Sequence, residues 1–374
     1  MECADEQHYM QRAIELAARG RGWVHPNPQV GAVIVKDGRI IGEGYHQRCG
    51  ELHAERNAFA SLSESAEGAT LYVTLEPCCH VGRTPPCTNA IIEHNIARVV
   101  IGSRDPNPLV SGKGAHMLRE HGIEVREDFM RSECDALNPV FFHYISTGLP
   151  YVVMKYAMSL DGKIACHTGA SQWITGELAR KHVHDLRGQY SAILVGIGTV
   201  LADDPMLNCR IEGEHQPVRV IADSTLRTPL TSRIVASARE YETIVAYAQE
   251  NPARVQALEA AGVQCVCVPN TQGLVDLEAL MRVLGKQKLD SVLIEGGGAV
   301  HEAALKAGIV NHVYAYIAPK LIGGSEAKTP VEGMGVSHPD LAAQLCNVHI
   351  TQLGEDVLLE YDVAEGMNQV YRNR

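Results

Sequence analysis

His53-Ala54-Glu55 is followed by Glu76-Pro77-Cys78 and, nine positions after Cys78, by Cys87. One imidazole and two thiolates form a borderline-soft, three-ligand set that suits Zn²⁺ and leaves the fourth tetrahedral position to water. Such a metal lowers the pKa of its water to about 7, which makes a nucleophile available at neutral pH. Glu55 stands too near His53 in sequence to be an ordinary further ligand. It is well placed to shuttle a proton between that water and a leaving amine. The insert between the thiols, 79–86, holds two rival ligands, Cys79 and His80. Its prolines and glycine make a rigid loop, after which Cys87 opens a helical run, and a thiolate at a helix N-terminus is favoured. That prefers Cys87 over Cys79. A structural zinc would normally carry a fourth protein ligand and have no use for Glu55.

The arrangement resembles the zinc nucleobase deaminase signature, H-x-E followed by P-C-x-x-C, except that the second Cys comes nine positions after the first instead of three. The elements around it read as an α/β layer. Asp5–Ala18 is an amphipathic helix stopped by Gly20, and 30–35 and 40–45 flank Lys36-Asp37-Gly38-Arg39 as a hairpin. A helix from His53, strand 69–75, helix 88–95, strand 97–102, helix 114–121 and strand 123–125 follow. Alternating strands and helices predict a mixed sheet, with the ligand residues at strand ends beside helix starts. His25-Pro26-Asn27-Pro28 cannot be helical. Its Asn27 suits either a hydrogen bond to a pyrimidine or its sugar, or a turn Asn that caps its own backbone. The loop 103–108, with Asp105 and Asn107, lies at a second strand end. Arg83 is either a phosphate clamp or a solvated loop charge. A helix over 130–138 leads to Thr147-Gly148, where the boundary falls between a domain 1–147 and a domain 148–374.

The second half opens on strand 151–157, with Lys155 and Ala157, and has a helix over 177–188 and strands at 192–196, 218–222, 243–248 and 264–268. Cys265 and Cys267 alternate in the last of these and read as buried core. Strand 292–295 feeds Gly296-Gly297-Gly298 and a helix over 299–307, and strands 313–319 and 357–361 close the domain. Glycines between a strand and a helix either let backbone N–H groups approach a pyrophosphate or simply serve a tight turn. The Rossmann fingerprint is nevertheless excluded, because His301 sits where its third Gly belongs.

Bulk properties narrow the function. The 374 residues suffice for two domains, and a net charge of −11 with 5% aromatics argues against a grip on nucleic acid. Eleven cysteines without a regular framework predict a reducing compartment. With no signal peptide at the first residues and no apolar run long enough to span a bilayer, the expected location is the cytoplasm.

Across nearly its whole length the chain resembles the bifunctional riboflavin biosynthesis proteins, a pyrimidine deaminase fused to a pyrimidine reductase. The resemblance rests on 25–31, His53-Ala54-Glu55, Glu76-Pro77-Cys78, 82–87, 105–108, Ser159-Leu160-Asp161-Gly162, 171–174, 199–207, Ile294-Glu295-Gly296-Gly297 and Ala318-Pro319-Lys320. The long Cys spacing is the rule in that family. It implies a cytidine-deaminase-like three-layer α/β domain followed by a dihydrofolate-reductase-like α/β domain. It implies two reactions: zinc-dependent deamination of 2,5-diamino-6-ribosylamino-4(3H)-pyrimidinone 5′-phosphate, then NADPH-dependent reduction of its ribosyl group to ribityl. His53, Cys78 and Cys87 would hold one zinc, and Glu55 would carry the proton. Asn27, Arg83, Asp105 and Asn107 would bind the deaminase substrate. Ser171, Arg187, Leu207, Arg210 and Glu295 resemble reductase substrate positions, with Lys155 at the ribose or its phosphate. Ala157, Trp173, Thr199, Asp203, Ser224, Gly297, Gly298, Ala299, Val300 and His301 resemble NADPH positions. Glu295, Lys155 and Asp203 are candidates for the acid of the reduction. A homodimer or tetramer is expected. The alternative is a tRNA- or nucleoside-type zinc deaminase with an accessory C-terminal domain. A zinc-stabilised binding module would need Glu55 or a ligand to be lost, and neither is.

Overall fold

The computed structural model describes residues 2–79, 85–107 and 110–364, of which 2–4 are described by backbone alone. The chain divides into two compact units, 1–147 and 148–374.

The first unit is built on a five-stranded sheet of β1 (Gly31–Lys36), β2 (Arg39–Tyr45), β3 (Thr70–Leu75), β4 (Arg98–Ser103) and β5 (Glu124–Arg126), in the order β2-β1-β3-β4-β5. β1 pairs antiparallel with β2 and β3, whereas β3, β4 and β5 run parallel. Because side chains alternate along a strand, the two faces collect different cores. Ala32, Ile34, Leu71, Val73, Val99 and Ile101 meet helices Ala54–Ala60, Cys87–Glu93 and Lys113–Glu120. Val33, Val35, Tyr72 and Val100 meet Met10, Ala13 and Leu16 of helix Glu2–Ala17. The result is three layers, helix on sheet on helix. Gly44 sets how closely the first of these helices lies on β2: a Cβ there would stand 2.2 Å from the backbone N of Ala58.

Sequence reading places one helix over 130–138, but that helix ends at Asp135 and an unforeseen second one runs over Pro139–Thr147. Pro139 cannot continue a helix and can start one, so it forces the division. The break frees Asn138, which is buried and clamps Gln29 twice: Gln29 N–H donates to Asn138 Oδ1 at 2.7 Å, and Asn138 Nδ2 donates to Gln29 O at 2.9 Å.

Among the described residues the second unit carries nine strands, β6 (Tyr151–Ser159), β7 (Ala192–Gly196), β8 (Val218–Ala222), β9 (Thr243–Tyr247), β10 (Gln264–Cys267), β11 (Ser291–Gly296), β12 (Val310–Ala318), β13 (Leu345–Leu353) and β14 (Asp356–Val363). Their order is β10-β9-β8-β7-β11-β6-β12-β14-β13. All pairings from β10 through β12 are parallel, and β14 and β13 close the sheet antiparallel. Strands covered on both faces read as continuous apolar runs, as Ala192-Ile193-Leu194-Val195 does. Helices Pro252–Ala260 and Leu277–Lys286 were not foreseen, although Leu277, Leu280, Met281 and Leu284 of the latter recur at helical spacing and are buried. The expectation that Cys265 and Cys267 lie in the core is corrected. β10 is an edge strand with one neighbour, so Cys265 is partly exposed and Cys267 exposed.

Arg219 of β8 is fully buried, with no carboxylate hydrogen-bonded to it among the described residues. Its guanidinium instead donates to Thr243 Oγ1, Ser237 Oγ and the carbonyls of Met206, Ile234 and Tyr241. Burial still pulls its pKa down to about 10. No helix among the described residues is long and apolar enough to cross a membrane.

Candidate active sites

In the first unit the chain leaves β3 at Leu75 and reaches Cys78 three residues later, at the carboxyl end of a parallel strand. His53 caps helix Ala54–Ala60, Glu55 lies in its first turn, and Cys87 is the first residue of its own helix. These elements bring His53 Nδ1 to 3.5 Å from Cys78 Sγ and 3.4 Å from Cys87 Sγ, while the Cys87 backbone N–H donates to Cys78 Sγ at 3.3 Å. One ligand atom from each residue lies within 4.8 Å of the others, and among the described residues no fourth His, Cys, Asp or Glu joins them. With Zn–S near 2.3 Å and Zn–N near 2.05 Å, tetrahedral coordination gives N···S edges of about 3.6 Å. The donor set fits zinc in chemistry and in spacing. Cys79 does not converge on this cluster, and its thiol is pushed up by burial. His80 and Arg83 lie outside the described residues.

The electrostatics agree with a cation site. The Cys78 thiol is held down to about 4, chiefly by its hydrogen bond with Cys87 and then by His53, while Cys87 is pushed up by the same sharing. The two thiols compete for one proton, a competition that a divalent cation ends by taking both as thiolates. Glu55 is buried, and burial first and the Cys78 charge second raise its pKa, so it holds a proton more readily than a free carboxylate.

Asn27 lies in the loop that Asn138 clamps. Its Nδ2 is 3.1 Å from His46 Nε2, and His46 Nδ1 is 3.0 Å from Leu52 O. A carbonyl can only accept, so Nδ1 carries the proton and Nε2 accepts from Asn27. Burial, the main cause of His46's lowered pKa, keeps the ring neutral in that role. The His46 ring also stands edge-on to His53, with centroids 5.5 Å apart. Sequence reasoning missed His46. The available signal was a histidine directly after β2, on the stretch that leads into His53. Asp105 is buried, accepts the Asn107 N–H at 2.8 Å, and is pushed up to about 7, mainly by burial. The nearby charges of Glu76 and Cys78 add to that rise. Glu76 anchors the start of helix Lys113–Glu120, accepting from Gly112 N at 2.9 Å and Ala115 N at 3.2 Å.

In the second unit the carboxyl ends of the parallel strands face a cleft of about 900 Å³. Its wall includes Ser171, Thr199, Asp203, Ser224, Gly297, Gly298, Ala299 and Val300, but not Ala157, Trp173 or His301. Gly297 has φ +85°, which only glycine adopts freely, and a Cβ on Gly298 would stand 2.8 Å from Thr329 O. His301 is buried with Nδ1 2.8 Å from Pro330 O, and Trp173 is exposed with Arg180 4.7 Å over its ring. Ala157 lies on β6 opposite Tyr316. Sequence reasoning also missed Arg227, Asn270 and Gln272 on this wall. They come from loops after β8 and β10 and carry no motif.

A polar cluster stands at β6 and β11. Arg187, from the last turn of helix Glu177–Gln189, forks onto Glu295 with Nε–Oε1 and Nη2–Oε2 both at 2.7 Å. Burial alone would raise the Glu295 carboxyl, but the charge and hydrogen bonds of Arg187, joined by Lys155, bring it below its ordinary value. The Lys155 amine, 5.7 Å from the Tyr316 ring centroid, is lowered by burial, which Glu295 opposes and Arg187 reinforces. His184 accepts the Arg210 N–H at 3.3 Å and is lowered to about 4 by burial and by the charges of Arg187 and Arg210. Leu207 is buried with φ 54°, and the Arg210 side chain is exposed. Asp203 is raised by partial burial, which the Ser171 hydroxyl opposes.

A His-Cys-Cys cluster of deaminase type on one α/β unit and a cleft at the strand ends of a second fit a fused deaminase and reductase. Comparison with known proteins agrees. Residues 3–103 match the cytidine and deoxycytidylate deaminase zinc-binding region, and residues 150–359 match the RibD C-terminal domain. The riboflavin biosynthesis protein RibD of Actinobacillus pleuropneumoniae is 53% identical over 95% of this chain and 94% of its own. That of Escherichia coli is 44% identical over 95% and 98%. The structure of Acinetobacter baumannii RibD (form 1) superposes with a TM-score of 0.87 at 39% identity, over 96% of this chain and 99% of that one. A Thermotoga maritima diaminohydroxyphosphoribosylaminopyrimidine deaminase/5-amino-6-(5-phosphoribosylamino)uracil reductase gives 0.85 at 40%, over 97% and 100%. The chain belongs to the RibD family. It is a bifunctional enzyme of riboflavin biosynthesis, with an N-terminal deaminase-like domain and a C-terminal reductase domain. Matches that run through both units do not favour a tRNA- or nucleoside-type deaminase with an accessory domain.

Proposed function

We propose that residues 1–147 remove the 2-amino group of 2,5-diamino-6-ribosylamino-4(3H)-pyrimidinone 5′-phosphate and that residues 148–374 then reduce the ribosyl group to ribityl with NADPH. The observation that carries the first half is the convergence of His53 Nδ1 and the Cys78 and Cys87 thiols beside a buried Glu55. Zinc held by those three side chains would supply the Lewis acidity that brings water into ionisation range near pH 7. Glu55, whose raised pKa suits both halves of a proton relay, takes the proton from water and hands it to the departing amine. Asn27, oriented by His46, hydrogen-bonds the pyrimidine, and Asp105, Asn107 and Arg83 complete the substrate contacts.

In the reductase half NADPH would supply the hydride. The Gly297–His301 turn, Thr199, Asp203 and Ser224, with Ala157 and Trp173, hold the dinucleotide. Ser171, Arg187, Leu207, Arg210 and Glu295 position the substrate. Among the three candidate acids, Glu295 is clamped as a carboxylate by Arg187 and has no proton to give near neutral pH. Lys155, an amine with a lowered pKa in the same cluster, fits the role of proton donor better. One zinc per chain, a cytoplasmic location and a homodimer or tetramer belong to the same reading. The test is incubation with the diamino substrate, with and without NADPH, for wild type and Glu55→Gln. Glu55→Gln should abolish ammonia release yet still oxidise NADPH on the pre-deaminated substrate. Loss of both activities would contradict two independent sites.

A further inference from the structure

The carboxyl ends of the strands give the cleft a direction. In the sheet β8 neighbours β7, β7 neighbours β11, and β11 neighbours β6. The glycine turn after β11 and residues 196–199 after β7 occupy the middle of the wall. Lys155 and the Arg187–Glu295 pair stand at the β6 and β11 end. A dinucleotide with its reacting ring at that end and its pyrophosphate on the glycine turn places its adenosine over β8. The chain there reads Ala222-Asp223-Ser224-Thr225-Leu226-Arg227, of which Ala222, Ser224 and Arg227 line the cleft.

Two features of this strand end bear on which dinucleotide fits. An NAD site offers a carboxylate to the ribose 2′-hydroxyl, whereas an NADP site offers an Arg to the 2′-phosphate. The one acid in the described stretch 222–227, Asp223, is fully buried and turned inward, its Oδ2 accepting from Thr228 N and Thr228 Oγ1 at 2.7 Å each. It has no reach to a ribose. Arg227 is exposed and makes no hydrogen bond or ion pair among the described residues. The other cations of the wall are engaged, Lys306 with Glu302 and Lys328 with Glu332. Beside Arg227, Ser224 Oγ accepts the Val275 N–H at 3.0 Å, which leaves its own hydroxyl hydrogen free to donate.

We propose that Arg227 is the specificity residue of the reductase cofactor site: its guanidinium binds the adenosine 2′-phosphate, with the Ser224 hydroxyl as second donor, and so selects NADPH over NADH. This rests on the reading of the cleft as a dinucleotide site. An exposed Arg can be removed without disturbing the core, so the full-length Arg227→Ala protein should melt like wild type.

The test is calorimetric titration of both proteins with NADPH, NADH, 2′,5′-ADP and 5′-ADP. Wild type should prefer NADPH to NADH and 2′,5′-ADP to 5′-ADP. Arg227→Ala should weaken NADPH and 2′,5′-ADP by about 10- to 100-fold, as expected for loss of a charge-assisted contact to phosphate. Its affinities for NADH and 5′-ADP should stay within about twofold of wild type. Arg227→Lys should keep part of the preference. Unchanged NADPH binding in Arg227→Ala, or an equal loss for NADPH and NADH, overturns the proposal while the dinucleotide reading stands. Competition by inorganic phosphate as strong as that by 2′,5′-ADP also overturns it, because the site would then be a general anion site. If wild type binds neither dinucleotide, the cofactor reading falls and the role of Arg227 with it.

Discussion

Glu295→Gln keeps the side chain's shape and one carbonyl oxygen but removes the charge that Arg187 and Lys155 face. In the native pair both oxygens take a guanidinium N–H at 2.7 Å, and the side chains are only 13% (Arg187) and 6% (Glu295) exposed. The amide would turn an NH₂ donor toward a guanidinium donor and leave a buried cation without a counter-charge. Breaking such a pair costs about 3–5 kcal/mol. Because Gln preserves one hydrogen bond, about 3 kcal/mol is expected. Arg187→Met should cost a similar amount, and the double variant less than the sum, with a coupling of about 2–3 kcal/mol. The assay is urea unfolding followed by fluorescence of Trp173. Trp23 in the other unit, the only other tryptophan, is replaced by Phe so that unit 2 alone is seen. The pH dependence has a definite sign. The folded pKa of Glu295 lies below its ordinary 4.5, so its contribution is present above that value and is lost as pH falls through the lowered one. The stability gap between wild type and Glu295→Gln should be flat from about pH 8 to 5 and narrow below. Additive single costs, or a gap that widens in acid, would refute the assignment of this pair as a coupled buried clamp.

Cys87→Ser should lower the zinc content measured by atomic emission and abolish ammonia release, while leaving NADPH oxidation on pre-deaminated substrate intact. Asn138→Ala removes two buried hydrogen bonds from the loop that carries Asn27, about 1–3 kcal/mol of local order, and should raise the deaminase KM more than it lowers kcat. Lys155→Met should abolish reduction of the pre-deaminated substrate with little effect on NADPH affinity by titration. Gly44→Ala should destabilise unit 1 by several kcal/mol in thermal melts, because its Cβ would meet the backbone of helix Ala54–Ala60.

The convergence of His53, Cys78 and Cys87 was legible because it is carried by residue type and spacing: a His, a Glu two positions on, and two thiols around prolines. The sheet strands were legible where both faces are buried, as in β7, since unbroken apolar runs leave little choice. What the sequence hid depends on contacts between distant segments. Asn138 gives no sign of clamping Gln29, which lies 109 residues away. His46 reads as one more histidine until the fold sets it between Asn27 and His53. The error at Cys265 and Cys267 has the same origin: alternation predicts a strand, but not whether that strand has one neighbour or two. Helix Leu277–Lys286 is a different miss, since its stripe of Leu277, Leu280, Met281 and Leu284 was present in the sequence to be read.

Arg219 ties the rim of the cleft to the interior of the second unit's sheet. Through it the Met206 carbonyl, three residues beyond Asp203, is joined to segments 234–237 and 241–243 by a single side chain that no shorter or less branched cation can imitate. A lysine there could serve at most three of those acceptors, and an apolar residue none of them. The cleft therefore has no separate melting step of its own: heating or mutation that loosens β8 from its neighbours should erase dinucleotide affinity in the same transition that exposes the apolar interior.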